Sequence, residues 1–247
     1  CTPVGSFKLR GALVSMARRG DEMRTRGVYV ASAGNYGLAI AVAGQRRGVE
    51  VTVVVPLGAT PSKLERIRLC GATVIEHDAD FDGAKEFART AAADAGAAFW
   101  EDGIIEEMAH GAATISQELL THPEPWDYVL VPVGNGSLIK GVASVFKDEH
   151  PATRVVGLVP SGAPSMAQGI RGEPWDEGAP MTTIADGLAV RVPIRPIVQE
   201  LKALVDEVWL VNDEKLLPAV LSLMELEQVM VEPSAAITLA EALPRVS

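Results

Sequence analysis

The stretch Gly5–Ala12, GSFKLRGA, sets a lysine between a small-residue approach and an apolar helical stripe of Leu9, Leu13 and Met16. A lysine on a solvated face is the ordinary case. A lysine at the start of a helix is also a candidate nucleophile. Desolvation in a pocket and neighbouring cationic character can hold an amine partly neutral, ready to attack a carbonyl. Two further stretches each run strand, small-residue loop, helix start: VYVASAGNYGLAIAVA (residues 28–43) and YVLVPVGNGSLIKGVA (residues 128–143). Such a loop aims the unpaired N–H groups of the first helical turn beyond the strand's C-terminal end. Glycine lets the backbone turn sharply and come close to an anion.

One such loop is an ordinary tight turn. Two in one chain suggest two anionic groups, for example a phosphate and a carboxylate. GNGSLIKG lacks the third glycine of the dinucleotide fingerprint and the Gly-Lys-Ser/Thr ending of a P-loop, so a nucleotide is a poor fit. A lysine amine with a phosphate cradle and a carboxylate cradle is what a Schiff-base enzyme of amino acids needs. The carbonyl cofactor is anchored by its phosphate, and the amino acid is oriented by its carboxylate.

Other reactive residues give weaker patterns. Cys1 and Cys70 cannot build a zinc cluster alone, and two unpaired thiols are expected. His77 stands near Asp78, Asp80 and Asp82, where a solvated acidic loop is the better reading than a metal site. Glu106 and His110 have helical i, i+4 spacing but lack the second histidine of a metalloprotease helix. Trp100, Trp126, Trp175 and Trp209 are spaced without pattern and read as core or loop packing.

These residues must be positioned by a folded scaffold. The chain has 247 residues, 48% of them hydrophobic and 22% charged, enough for one large domain or two lobes. A formal net charge of -10 argues against a nucleic-acid or anionic-membrane partner, which needs a basic face. No apolar run approaches the roughly 20 residues of a membrane span. No charged-then-apolar segment opens the chain, so the cytoplasm is the expected compartment.

Short valine-rich runs alternate with helical periods. Strands are expected at Val28–Ala31, Val51–Pro56, Thr73–Glu76, Tyr128–Val133, Val155–Val159 and Val208–Val211. Helical periods cover Leu38–Arg47, Ser62–Leu69, Asp82–Ala95, Ile104–Leu120 and Asp213–Val229. His122–Trp126 and Gly172–Pro180 read as loops. The alternation predicts an α/β fold with a largely parallel sheet.

GSFKLRGA, ASAGNYG, GNGSLIKG, TIADGLAV and MVEPSAA occur in the order seen in the fold-type II pyridoxal-phosphate enzymes. The chain most resembles their threonine/serine dehydratase and serine racemase branch, over nearly its whole length. The resemblance implies the tryptophan synthase β-like architecture of two open, twisted, mostly parallel sheets flanked by helices. It implies a small lobe at 28–106 and a large cofactor-binding lobe made of 1–27 and 107–247. It further implies pyridoxal 5'-phosphate as cofactor, a small amino acid as substrate and a homodimer.

Residue by residue, the resemblance makes Lys8 the Schiff-base lysine, with Phe7 packed near the pyridine ring. Ser32, Ala33, Gly34, Asn35 and Tyr36 form the substrate-carboxylate loop, and the Asn35 side chain reaches the cofactor's phenolic oxygen. Gly134, Asn135, Gly136, Ser137 and Leu138 match the phosphate loop. Asp186 and Gly187 line the cofactor face, and Glu232 sits near the ring. The implied reaction is dehydration of L-threonine or L-serine to a 2-oxo acid and ammonia, with Lys8 as the base.

This sequence departs from the branch at several positions. Asn135 and Ser137 stand where a glycine run is common. Tyr36 stands where histidine is common, which bears on substrate choice. Racemases of the branch carry a serine acid/base where this chain has Ala33, which cannot move a proton. The stretch matching the branch's divalent-cation site offers Val159 and Ser165, neither charged, so no metal is expected there. The chain opens on Cys1 inside the pattern and stops at Ser247 before the trailing segment that reaches the pyridine nitrogen. A fragment or processed product is therefore expected, with apolar surface and sheet edges uncovered. Two other functions fit the same motifs: a β-replacement enzyme of the threonine synthase or cysteine synthase kind, and a truncated domain that binds no cofactor.

Overall fold

A computed structural model describes residues 3–246, with side chains described as far as residue 242. Cys1, one of the two expected free thiols, lies outside the described residues. The chain folds into two compact units, Cys1–Ala112 and Ala113–Ser247.

The first unit contains α1 (Lys8–Arg26), β1 (Val28–Ala31), α2 (Asn35–Arg47), β2 (Val51–Val55), α3 (Pro61–Leu69), β3 (Thr73–Glu76), α4 (Phe81–Asp94) and β4 (Ala98–Phe99). Its four strands pair in parallel in the order β3-β2-β1-β4. Successive residues of β2 feed opposite faces of this sheet, as the strand period of two requires. Val53 and Val55 join the core under α1, α2 and α3, with Leu9, Met16, Ile40 and Ile67. Val54 joins Ala84 and Ala88 of α4 on the other face.

α1 packs on α2 within the first unit. The cause is its apolar stripe: Leu9, Ala12 and Met16 are buried in the same core as Ile40 and Ala43 of α2.

α5 (Glu106–Leu119) leads into the second unit, which contains β5 (Tyr128–Pro132), α6 (Ser137–Glu149), β6 (Arg154–Pro160), α7 (Ser165–Arg171), α8 (Arg195–Leu204), β7 (Glu207–Val211), α9 (Leu216–Leu226) and α10 (Pro233–Val246). Its three strands are again parallel, in the order β5-β6-β7. The central strand β6 is buried from its second residue to its last, as a strand covered on both faces must be. Val155 and Val159 face α6, α7 and α8 through Phe146, Met166 and Leu201. Val156 and Leu158 face α9 and α10 through Leu216 and Ile237. Both units thus have the predicted architecture of parallel strands between helices.

The expected strands stand within a residue or two of their observed ends. β4, α7, α8 and α10 lie outside the expected elements. α9 leaves Leu217, Leu221 and Met224 exposed on its outer side. Among the described residues, no helix is long and apolar enough to cross a membrane.

Candidate active site

In the first unit the candidate nucleophile opens a helix. Lys8 is the first residue of α1, after Phe7 at the cap position. Its Nζ lies 5.2 Å from the centre of the Phe7 ring and 5.8 Å from that of the Tyr36 ring. It donates to Asp102 Oδ2 at 2.5 Å, and each side chain of this pair is only 16% exposed. The pair exists because α1 and α5 cross at a point without side chains. A Cβ on Gly111 would stand 2.2 Å from the backbone nitrogen of Gly11, so only glycine allows the approach. That crossing brings the segment before α5 to the start of α1.

Tyr36 is buried in the first turn of α2 and donates its hydroxyl to the carbonyl of Trp100 at 3.2 Å. Burial, and then the negative charges of Asp102 and Glu101, push its phenol well above the ordinary tyrosine value. Tyr36 is therefore a neutral donor whose ring forms one wall beside the Lys8 amine. Ser32, Ala33, Gly34 and Asn35 are half-buried along the turn from β1 into α2. Ser32 Oγ accepts from the Gly34 N–H at 3.2 Å, and no side chain caps the start of α2.

In the second unit, Gly134, Asn135 and Gly136 form the turn from β5 into α6, and Ser137 and Leu138 open the helix. Gly136 has φ +95°, and a Cβ there would meet Ile197 Cγ2 at 2.8 Å. A glycine is required on both counts. No side chain caps α6 either, so its first N–H groups face outward from the helix end. A Cβ on Gly134 would lie 2.8 Å from the carbonyl oxygen of Gly187, so the GNGS turn and the ADG turn touch backbone to backbone. The Gly187 N–H in turn donates to Ser234 Oγ at 3.1 Å. Asp186 is exposed, and so is Glu232, whose carbonyl receives the first N–H groups of α10.

Within the first unit the fold thus gathers Phe7, Lys8 and Tyr36. Within the second it gathers Gly134, Gly187 and the VEPS segment. Sequence reasoning missed Asp102 and Ser234. Ser234 lies in the quoted MVEPSAA motif, so a signal was present. Asp102 lies in no motif.

The remaining candidates stand elsewhere in the fold. Cys70 is a free thiol at the end of α3 and donates to the Arg66 carbonyl. His77 stacks on Phe87 at 3.8 Å between ring centres. Among the described residues, no group of three or more His, Cys, Asp or Glu side chains could hold a metal ion. Val159 is buried in β6, and Ser165 begins α7.

The family model described as pyridoxal-phosphate dependent enzyme matches residues 1–246. The chain belongs to that family. It is 36% identical over 239 residues to an L-threonine ammonia-lyase of Thermotoga maritima, covering 97% of this chain and 60% of that protein. The chain therefore spans about three fifths of the length of this relative. Maize serine racemase has a similar structure, with a TM-score of 0.90 and 32% identity over 98% of this chain and 73% of that one. The processed form of threonine deaminase isoform 2 from Solanum lycopersicum matches with a TM-score of 0.91 and 30% identity, over 98% and 70% of the two chains. These likenesses make the architecture that of the fold-type II branch.

The residues fit the family's cofactor. A half-buried amine near two aromatic rings, at 5.2 and 5.8 Å from their centres, suits a flat carbonyl ring system. An uncapped helix start behind a glycine turn, too close to its neighbours for any Cβ, suits a phosphate.

Proposed function

We propose that this chain is the core of a pyridoxal 5'-phosphate-dependent lyase of the threonine/serine dehydratase kind. Its substrate would be a small hydroxyamino acid, and its products a 2-oxo acid and ammonia. The observation that carries the reading is the Lys8 amine at the start of α1, walled by the Phe7 and Tyr36 rings.

In this reading Lys8 would hold the cofactor covalently, and the N–H groups of the turn from Gly134 to Leu138 would hold its phosphate. Asn35 would orient its ring from the start of α2, and Gly187 and Glu232 would also contact the cofactor. The bound cofactor supplies the electron sink that makes the Cα proton of an amino acid removable. Ser32, Ala33, Gly34, Asn35 and Tyr36 bind and orient the substrate carboxylate through the turn into α2. Lys8 Nζ would accept the Cα proton of the substrate. Phe7 and Tyr36 exclude water beside that nitrogen.

Elimination is favoured over racemisation by Ala33. A racemase needs a second acid/base to return the proton from the opposite face, and a methyl group cannot do so. Cytoplasmic location and a homodimeric state accompany the proposal. Product analysis tests it. Incubation with cofactor and L-threonine or L-serine should yield ammonia and the matching 2-oxo acid in equal amounts. Formation of a new amino acid only when a second nucleophile is added would instead assign a β-replacement enzyme.

A further inference from the structure

Lys8 is the first residue of α1, where the helix dipole presents its positive end, and the first turn of α1 carries no acidic residue. A cation there is unfavourable unless an anion is supplied from elsewhere. The anion comes from 94 residues along the chain, as Asp102 Oδ2 at 2.5 Å from Nζ. With both side chains mostly out of solvent, the contact is screened little.

Asp102 is itself offered from a fixed segment. The Trp100 N–H donates to the Tyr29 carbonyl at 2.9 Å, and the Trp100 carbonyl accepts the Tyr36 hydroxyl. The neighbouring carboxylate, Glu101, is held by Arg89 at 2.8 Å and Lys85 at 3.4 Å, both on α4. The Glu101 carbonyl accepts the N–H groups of Ile104 and Ile105. The segment therefore presents one carboxylate to α4 and the next to Lys8.

We propose that Asp102 is the positioning residue of Lys8. It anchors the Lys8 side chain through the ion pair at the start of α1, and it pairs with the ammonium again whenever Lys8 accepts a proton. The inference rests on the role given to Lys8 above.

A carboxylate pairs strongly with an ammonium and only weakly with a neutral amine. Condensation with an aldehyde forms one C=N bond and releases one water. Nζ enters that step as a neutral amine, so the extra ammonium proton must first leave to solvent. The Asp102 contact opposes this loss, so Asp102 slows condensation at Lys8. In turnover the effect is reversed. When Nζ accepts the Cα proton it becomes an ammonium, the species that Asp102 pairs with in this structure at 2.5 Å, so Asp102 favours the step. One substitution should therefore speed one process and slow another, a pattern that loss of structure does not produce.

The test compares the full chain with its Asp102→Asn and Asp102→Glu variants. Without cofactor, a limiting dose of N-hydroxysuccinimidyl acetate is added, and acetylation of Lys8 is read by peptide mass spectrometry against exposed Lys63 and Lys202. Lys8 in Asp102→Asn should react several-fold faster than in the parent, while Asp102→Glu, which keeps the charge, stays slow. With pyridoxal phosphate, the Asn variant should load faster, by absorbance, yet show a several-fold lower kcat. Equal Lys8 acetylation in the parent and the Asn variant would overturn the inference. So would equal acceleration in both variants, which would make the effect one of packing rather than charge, or loading and kcat that fall together. If the parent takes up no cofactor, the proposed function fails, while the acetylation result still decides the role of Asp102.

Discussion

The first unit brings charged and aromatic side chains to its candidate site, whereas the second brings backbone. Beside Lys8 stand a carboxylate and two rings, fixed by ion pairs and a buried tyrosine hydroxyl. Around Gly134 and Gly136 the neighbours are a carbonyl oxygen and aliphatic atoms, and the helix start has no side-chain cap. The contrast follows from the task assigned to each. Covalent chemistry and proton transfer need a particular titratable atom. A phosphate needs N–H groups in a fixed curve, which many sequences supply if glycine stands where the chain bends.

The contrast can be broken by substitutions on either side. The largest effect is expected at Lys8. Lys8→Ala should cost about a thousandfold or more in turnover, the scale of a lost general base. Steady-state assay with threonine checks this, and retained activity would remove Lys8 from the mechanism. Next is Gly136→Ala, which forces a side chain into positive φ and against Ile197. It should cost roughly 1–2 kcal/mol of stability and weaken cofactor binding, read by urea midpoint and by titration. Unchanged cofactor affinity would show that the turn does not serve a phosphate.

Asp206 sharpens the comparison, because it shows a charged side chain of the second unit at work away from its candidate site. Its carboxylate accepts from Lys147 Nζ at 2.6 Å and from the Val155 N–H at 2.7 Å, tying α6 and β6 to the residue before β7. Burial alone would raise its pKa. The Lys147 and Val155 hydrogen bonds, with the charges of Lys147 and Arg154, outweigh burial and bring the carboxyl below its ordinary value of 3.8. A lowered folded value means the stabilisation is present above the unfolded value and disappears as pH falls through the folded one. Asp206→Ala should cost about 1–2 kcal/mol at neutral pH, discounted for the partial exposure of the pair. The gap from the parent should narrow below pH 3.8 in urea melts.

The smallest effect is expected at Tyr36. Tyr36→Phe removes the hydrogen bond to Trp100 and should cost about 1 kcal/mol. The raised phenol gives this variant a pH signature. Above pH 10.0 the unfolded tyrosine ionises while the folded one stays neutral, so the parent loses stability as pH rises. The variant should lack that share of the alkaline loss, as thermal melts across the range would read.

Local pattern carried the fold a long way. The valine runs of β1, β2 and β6 and the glycine turns before α2 and α6 could be placed because each obeys a rule of its own segment. β4 could not, since its residues Ala98–Phe99 form a strand only by pairing with Val28 and Tyr29. α8 was hidden because Pro193 and Pro196 interrupt the local helical pattern, although Pro196 sits in its first turn. α10 was hidden because EPSAA was taken as a motif rather than as the start of a helix. Within the site, Lys8 announced itself through the residues around it. Asp102 did not, because its meaning depends on a helix crossing at Gly11 and Gly111, and no window of sequence contains both.

The most direct measurement is the absorption spectrum of the purified chain with pyridoxal phosphate, before and after borohydride, followed by peptide mapping. The account predicts a yellow band that borohydride abolishes, with the reduced cofactor attached to Lys8. No band, or attachment at other lysines, would contradict it.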